Sequence, residues 1–210
     1  MHLMRMLIAA ALALFMIAGP ASALVIKQVE PDASWAAADW AVNLVGDHIE
    51  VSLQKEFKVP EMVGAPLVLE FTLQDNDLGK DIYLVHAGDG EEVINSTGLA
   101  WGDFHFVLVN PPQVPFLPPP AGATFVELSG VSSDLFGAPA AASGSQIDFL
   151  GGPVPAGGVV HFSGIRIAHS GGEGAVFYLK EIPTPEPGSF AIVCFGAGVL
   201  LFRRARTKGR

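Results

Sequence analysis

Cysteine is almost absent: Cys194 is the only one, so no intramolecular disulfide is open to this chain. Its stability must come from packing, which 210 residues are long enough to provide in one ordinary domain. Charge is also scarce, at 16% of residues, and positive charge is scarcer still, with 12 Lys and Arg against 21 Asp and Glu. All the acidic residues lie between Glu30 and Glu186, where only five basic residues accompany them. That surplus of negative charge excludes electrostatic binding of DNA or RNA. Threonine occurs five times and no repeat is visible, which excludes a solenoid, a propeller and a regular threonine array. Catalytic signatures are missing too. There is no His-Glu-x-x-His, no Gly-x-Ser-x-Gly, no phosphate loop and no dinucleotide fingerprint.

Apolar residues, by contrast, make up 50% of the chain, and mean hydropathy is +0.42. Much of this excess sits at the two ends. Arg5 precedes an uncharged run from Leu7 to Ala18, followed by Gly19-Pro20 and Ala21-Ser22-Ala23. A positive start, a short apolar core and a small-x-small site predict a secretory signal peptide over 1–23, cut by signal peptidase after Ala23. At the other end, Pro185-Glu186-Pro187 precedes uncharged residues 188–202, and the tail 203–210 carries Arg203, Arg204, Arg206, Lys208 and Arg210. As a helix, residues 188–202 would span about 22 Å, short of a hydrocarbon core of about 30 Å. The basic tail predicts a cytoplasmic end by the positive-inside rule, with Arg203, Arg204 and Arg206 as the stop.

This ordered triplet over 183–210 resembles the PEP-CTERM sorting signal, with Pro185, Glu186 and Pro187 as the motif. The resemblance implies a Gram-negative host making extracellular polysaccharide, and an inner-membrane exosortase that recognises and processes the tail. It implies a single-pass intermediate at the inner membrane, then a cell-surface or extracellular protein. The stretch from Asn95 to Phe106 is also similar to segments of exported PEP-CTERM proteins, though no chemistry is attached to it.

Residues 24–182 form the expected exported domain. Residues 49–58 and 67–74 alternate apolar and polar side chains with a period of two, Lys55 and Val68 being the misfits. Shorter strand candidates are 24–29, 82–86, 91–95, 104–109, 124–128, 146–150, 159–167 and 175–181, separated by Gly, Pro, Asp and Asn turns. No helix is expected beyond a turn near 33–40. The pattern predicts an all-β chain: an antiparallel β-sandwich flanked by the signal peptide and a C-terminal membrane helix. Pro111 to Pro120 holds six prolines and predicts a rigid connection between sheets; 137–144 reads as a surface loop.

One cluster could suggest a ligand. Asp75, Asp77 and Asp81 could offer oxygens to Ca²⁺ at a loop tip, although Gly79 and Lys80 break the EF-hand pattern and a plain acidic turn with Asx capping accounts for them without any metal. Adjacent Glu91 and Glu92 point to opposite faces of a strand, which suits solvent better than paired-carboxylate catalysis. The sequence therefore predicts no enzyme and no cofactor, but a structural or weakly ligand-binding surface or matrix protein linked to exopolysaccharide. The alternatives are a secreted hydrolase whose site is assembled only by folding, and a calcium-dependent glycan-binding module.

Overall fold

A computed structural model describes residues 24–85 and 90–185. Fourteen strands lie among them: β1 (Val25–Glu30), β2 (Ala36–Val45), β3 (His48–Phe57), β4 (Leu67–Thr72), β5 (Ile82–Val85), β6 (Glu91–Asn95) and β7 (Trp101–Val109) in the first half. The second half adds β8 (Thr124–Val126), β9 (Ser132–Ser133), β10 (Ala141–Ala142), β11 (Gln146–Val154), β12 (Val159–Ser163), β13 (Arg166–Ala168) and β14 (Val176–Pro185). The helical content described is three single 3₁₀ turns, at Pro60–Met62, Asp75–Asp77 and Leu128–Gly130.

The strands make two sheets in a sandwich-like, all-β arrangement. The first runs β1-β4-β14-β7-β11-β10, antiparallel throughout. The second is mixed, which corrects the purely antiparallel expectation. Its β3 pairs antiparallel with β2 along one edge and parallel with β5 and then β6 along the other. Because Ile49–Ser52 take β5 and Gln54–Phe57 take β6, these two short strands lie end to end on a single edge. Likewise β12 pairs with β6 and β13 with β5, both antiparallel. The parallel contact follows from the chain path: between β3 and β5 it crosses to the first sheet as β4 and returns.

Period two explains the core. In β3, Ile49, Val51, Leu53, Lys55 and Phe57 are buried and their neighbours are not, as expected of a pleated strand with one face covered. Leu69 and Phe71 of β4 meet them from the opposite sheet in one core cluster. Val68, the misfit of the 67–74 pattern, is only 5% exposed. The middle of the core is aromatic: Phe57 and Trp101 lie edge-on at 5.3 Å, and Phe162 sits 4.9 Å from each of Phe104, Phe106 and Phe149. Gly90, at φ 135, immediately precedes β6 where a Cβ would overlap the Phe162 carbonyl, so the β6–β12 approach requires glycine.

Two local readings differ from the sequence. Residues near 33–40 lead into β2, a ten-residue strand, because its pairing with β3 at every position overrides the helical propensity of an Ala-rich run. Residues 137–144 contain β10, which adds an edge strand to β11. The proline segment does join the sheets, leading from β7 in the first to β8 in the second. Its Phe116, at φ 76, is fully exposed between exposed Val114 and Leu117. β14 continues through Pro183, Thr184 and Pro185, three residues of the segment that the sequence assigns to the sorting tail. Among the described residues no helix is long and apolar enough to cross a membrane; residues 188–202 lie outside them.

Candidate functional site

The most unusual chemistry lies between the sheets. Lys55 of β3 points inward where its strand's alternation calls for an apolar side chain, and it is completely buried. Its ammonium donates to Oε1 of Glu91 and to Oε1 of Glu181. Glu91 opens β6 in the same sheet, whereas Glu181 comes from β14 in the opposite one, and both are also buried. Oε2 of each glutamate is buried with no hydrogen-bond partner. Burial first, and then the nearby Glu91 carboxylate, push the Glu181 carboxyl well above the usual carboxylate range, outweighing the opposite pull of Lys55. Glu181 therefore holds its proton more tightly than a carboxyl in water, and the Lys55 Nζ faces both carboxyl groups inside the sandwich. The expected opposition of Glu91 and Glu92 is real, but Glu91 faces the core rather than solvent.

The three calcium candidates separate on folding. Asp75 is exposed. Asp77 is buried, and its Oδ2 accepts from the Gln74 backbone N–H at 2.6 Å, closing a capping box around the 3₁₀ turn. Asp81 turns to Arg166, whose Nε and Nη2 donate to its Oδ2 at 2.7 and 2.5 Å. Among the described residues no group of three His, Cys, Asp or Glu side chains is arranged to hold a metal ion. Arg166 also donates to Glu127 and lies 5.1 Å from the centre of the Tyr83 ring. Glu127 and then Asp81 drive its pKa higher still, so the guanidinium is permanently charged. Arg166, Asp81 and Tyr83, together with Asp47, His48 and Gly79, line an open polar cleft of ≈ 190 Å³.

Four histidines fall among the described residues, each in a different place; His2 and His86 lie outside them. His48 lies 4.7 Å from the Tyr83 ring in the cleft, tilted by 57° to it. His105 meets Asp148 at 2.7 Å on the outer face of the first sheet. His161 links Asp134 (2.8 Å) and Glu92 (3.3 Å) on the outer face of the second. His169 follows β13, and burial lowers its pKa against the attraction of Asp77 and Asp81. The segment from Asn95 to Phe106 does structural work: the buried Asn95 amide donates to the carbonyls of Leu99, Val154 and Pro155, and Trp101 is buried beneath it.

No protein-family model, curated protein or solved structure matches this chain.

The sequence-derived sorting residues are placed only in part. Pro185 ends β14 opposite Trp101, while Ala21, Ala23, Glu186, Pro187, Arg203, Arg204 and Arg206 lie outside the described residues. The sequence reading missed the triad as a unit, although the inward register of Lys55 was its signal.

His161 carries a pH prediction. The Asp134 carboxylate, and to a lesser degree Glu92, raise its pKa, so the folded state binds the proton more tightly than the unfolded one. That stabilisation is complete below the ordinary histidine pKa of about 6.5 and is lost as pH rises through the higher folded value. His161→Gln is therefore expected to lower the melting temperature more at pH 6 than at pH 8. The effect should be small, because the ring is partly exposed.

Proposed function

We propose that this chain is an exported, exosortase-processed protein of the cell surface or extracellular matrix, in which the two-sheet domain serves a structural, non-catalytic purpose. The observation that carries the non-catalytic half is the dispersal of its chemistry. The described histidines occupy four separate places, three of them against their own carboxylates, and the strongest ionic cluster is sealed between the sheets instead of opening onto a cleft. A hydrolase needs a base, a nucleophile or metal, and a substrate position within reach of one another. The export half rests on the two terminal sequences. Signal peptidase and exosortase are its processing partners, exopolysaccharide is the surrounding material, and residence at the inner membrane is transient.

The test is the mature chain. Protein recovered from the cell surface of an exosortase-bearing host is expected to begin at Leu24 and to lack everything beyond about Pro185, as read by intact mass. Replacing Arg203, Arg204 and Arg206 with Glu is expected to reduce inner-membrane retention and processing together, because the charge that arrests translocation is gone. Surface protein that still ends at Arg210 overturns the proposal.

A further inference from the structure

We propose that the buried triad is a self-modification site, at which Lys55 Nζ condenses with the Glu181 side chain to form an isopeptide bond linking β3 to β14 across the sandwich. Three observations carry this. The nucleophile and both carboxyls are already in contact, with Nζ bonded to Oε1 of each. All three side chains are completely buried, so the reaction is shielded from bulk water and the product from hydrolysis. The ionic form is costly there, since two carboxyl oxygens have no hydrogen-bond partner.

Proton positions select the acyl partner. Burial and its neighbour Glu91 raise the Glu181 pKa and so favour its acid form, whose carbon bears a hydroxyl that can depart as water. Glu91, in contact with Nζ, serves as the base: it takes a proton from Lys55 and frees the amine. Nζ then attacks Cδ of Glu181, and a tetrahedral intermediate forms. Glu91 returns its proton to the departing hydroxyl and receives one from the new C–N nitrogen. The Cδ–OH bond breaks and the Cδ–Nζ bond forms. One water leaves, Glu91 ends protonated, and no net charge, oxidant or external reactant is involved. Condensation of free ions in water is unfavourable, but reactants held in contact have effective molarities of about 10⁵–10⁸ M, which shifts the balance toward the amide. The product replaces a buried ion pair by a neutral amide and disposes of one of the two unpaired oxygens.

The link would suit a domain whose described part contains no cysteine. It would close a loop between residues 126 positions apart and bind the last strand, the one that leads toward Pro185-Glu186-Pro187, to the opposite sheet. In that position it acts as a disulfide would, by constraining the unfolded chain, but it resists reducing agents.

The experiment uses the full chain, purified folded and compared with Lys55→Arg, which keeps a cation but removes the amine. After allowance for the substitution, wild type is expected to be lighter by one water. Trypsin should fail to cut after Lys55, and tandem mass spectrometry should find one branched peptide joining Lys55 to Glu181. Glu91→Gln is expected to remain folded by circular dichroism yet unlinked, which separates proton transfer from packing. Folded wild type of full mass, with linear peptides for both residues, overturns the proposal; a branch at Glu91 overturns the choice of Glu181; a linked Glu91→Gln protein overturns the part assigned to Glu91. None of these results bears on export or tail processing.

Discussion

Lys55→Ala is expected to destabilise the folded protein by about 3–5 kcal/mol, the typical cost of removing one partner from a buried ionic cluster. Lys55 is the cation that faces Glu91 and Glu181, and none of the three reaches solvent. Without it, two carboxyls face each other between the sheets, and folding must hold both protonated or leave a bare charge in an apolar core. The truncation also leaves space at a position packed from both sheets. Against a whole-domain stability of about 5–15 kcal/mol, this is a large fraction. Urea unfolding measures it, and the sign is the same whether the ammonium is free or already condensed with Glu181. Lys58→Ala is the control: its Nζ donates to the Ala33 carbonyl at an exposed site, and a change within about 0.5 kcal/mol is expected. Replacing the triad together, as Lys55→Met with Glu91→Leu and Glu181→Leu, is expected to recover much of the loss, because an apolar cluster of similar volume leaves no charge to solvate. A Lys55→Ala protein as stable as wild type would show that the triad carries no ionic energy.

Phe162→Ala is expected to cost a similar amount, about 3–5 kcal/mol, for a different reason. Phe162 projects from β12 of the mixed sheet into aromatic side chains of the other sheet. Phe104 and Phe106 of β7 and Phe149 of β11 each lie 4.9 Å away between ring centres. Phe136 stacks on it at 6.0 Å with an interplanar angle of 15°. Truncation therefore opens a cavity at the junction of the two sheets and removes several aromatic pairs, each worth about 0.5–1.5 kcal/mol beyond its buried area. Three of the surrounding rings belong to β7 and β11, held in register by their ladder, so the cavity cannot close by moving one segment. Phe162→Leu should cost clearly less, since most of the volume remains. A lower urea midpoint with an unchanged slope is the expected record; a changed slope would mean that the truncation altered the compactness of a state rather than its stability.

Parts of this site were legible beforehand. The alternation in 49–58 put Lys55 on the inward face and marked it as the misfit, and the adjacency of Glu91 and Glu92 forced them to opposite faces. What could not be read was that these two observations concern one cluster. Lys55 and Glu91 meet because β3 and β6 run parallel in a register that sets Gln54 against Glu92 and Lys55 against Val93. Parallel neighbours are separated by a crossover, so no local turn fixes that register. β2 was missed for the converse reason. Its Ala-rich sequence favours a helix by itself, and only the ladder with β3 makes it a strand. The acidic turn was read as a capped loop tip, and it is capped; but the capping box buries Asp77, and Arg166, 85 residues from Asp81, draws the Asp81 carboxylate away.

The sequence by itself determined the all-β character and the inward faces of the long strands, because side chains of a pleated strand must alternate between its two sides. It also determined that no disulfide would hold the chain, and it carries the two terminal signals on which the export proposal rests. Only the tertiary structure decided which inward residues meet. Bringing Glu181 to Lys55 takes two sheets, 126 residues of separation and a mixed strand order, none of which leaves a mark in local composition. A charge alone in a strand reads as an error in the pattern. Its partner is chosen by the packing of the opposite sheet, since burying Lys55 becomes tolerable only where a carboxylate is buried with it.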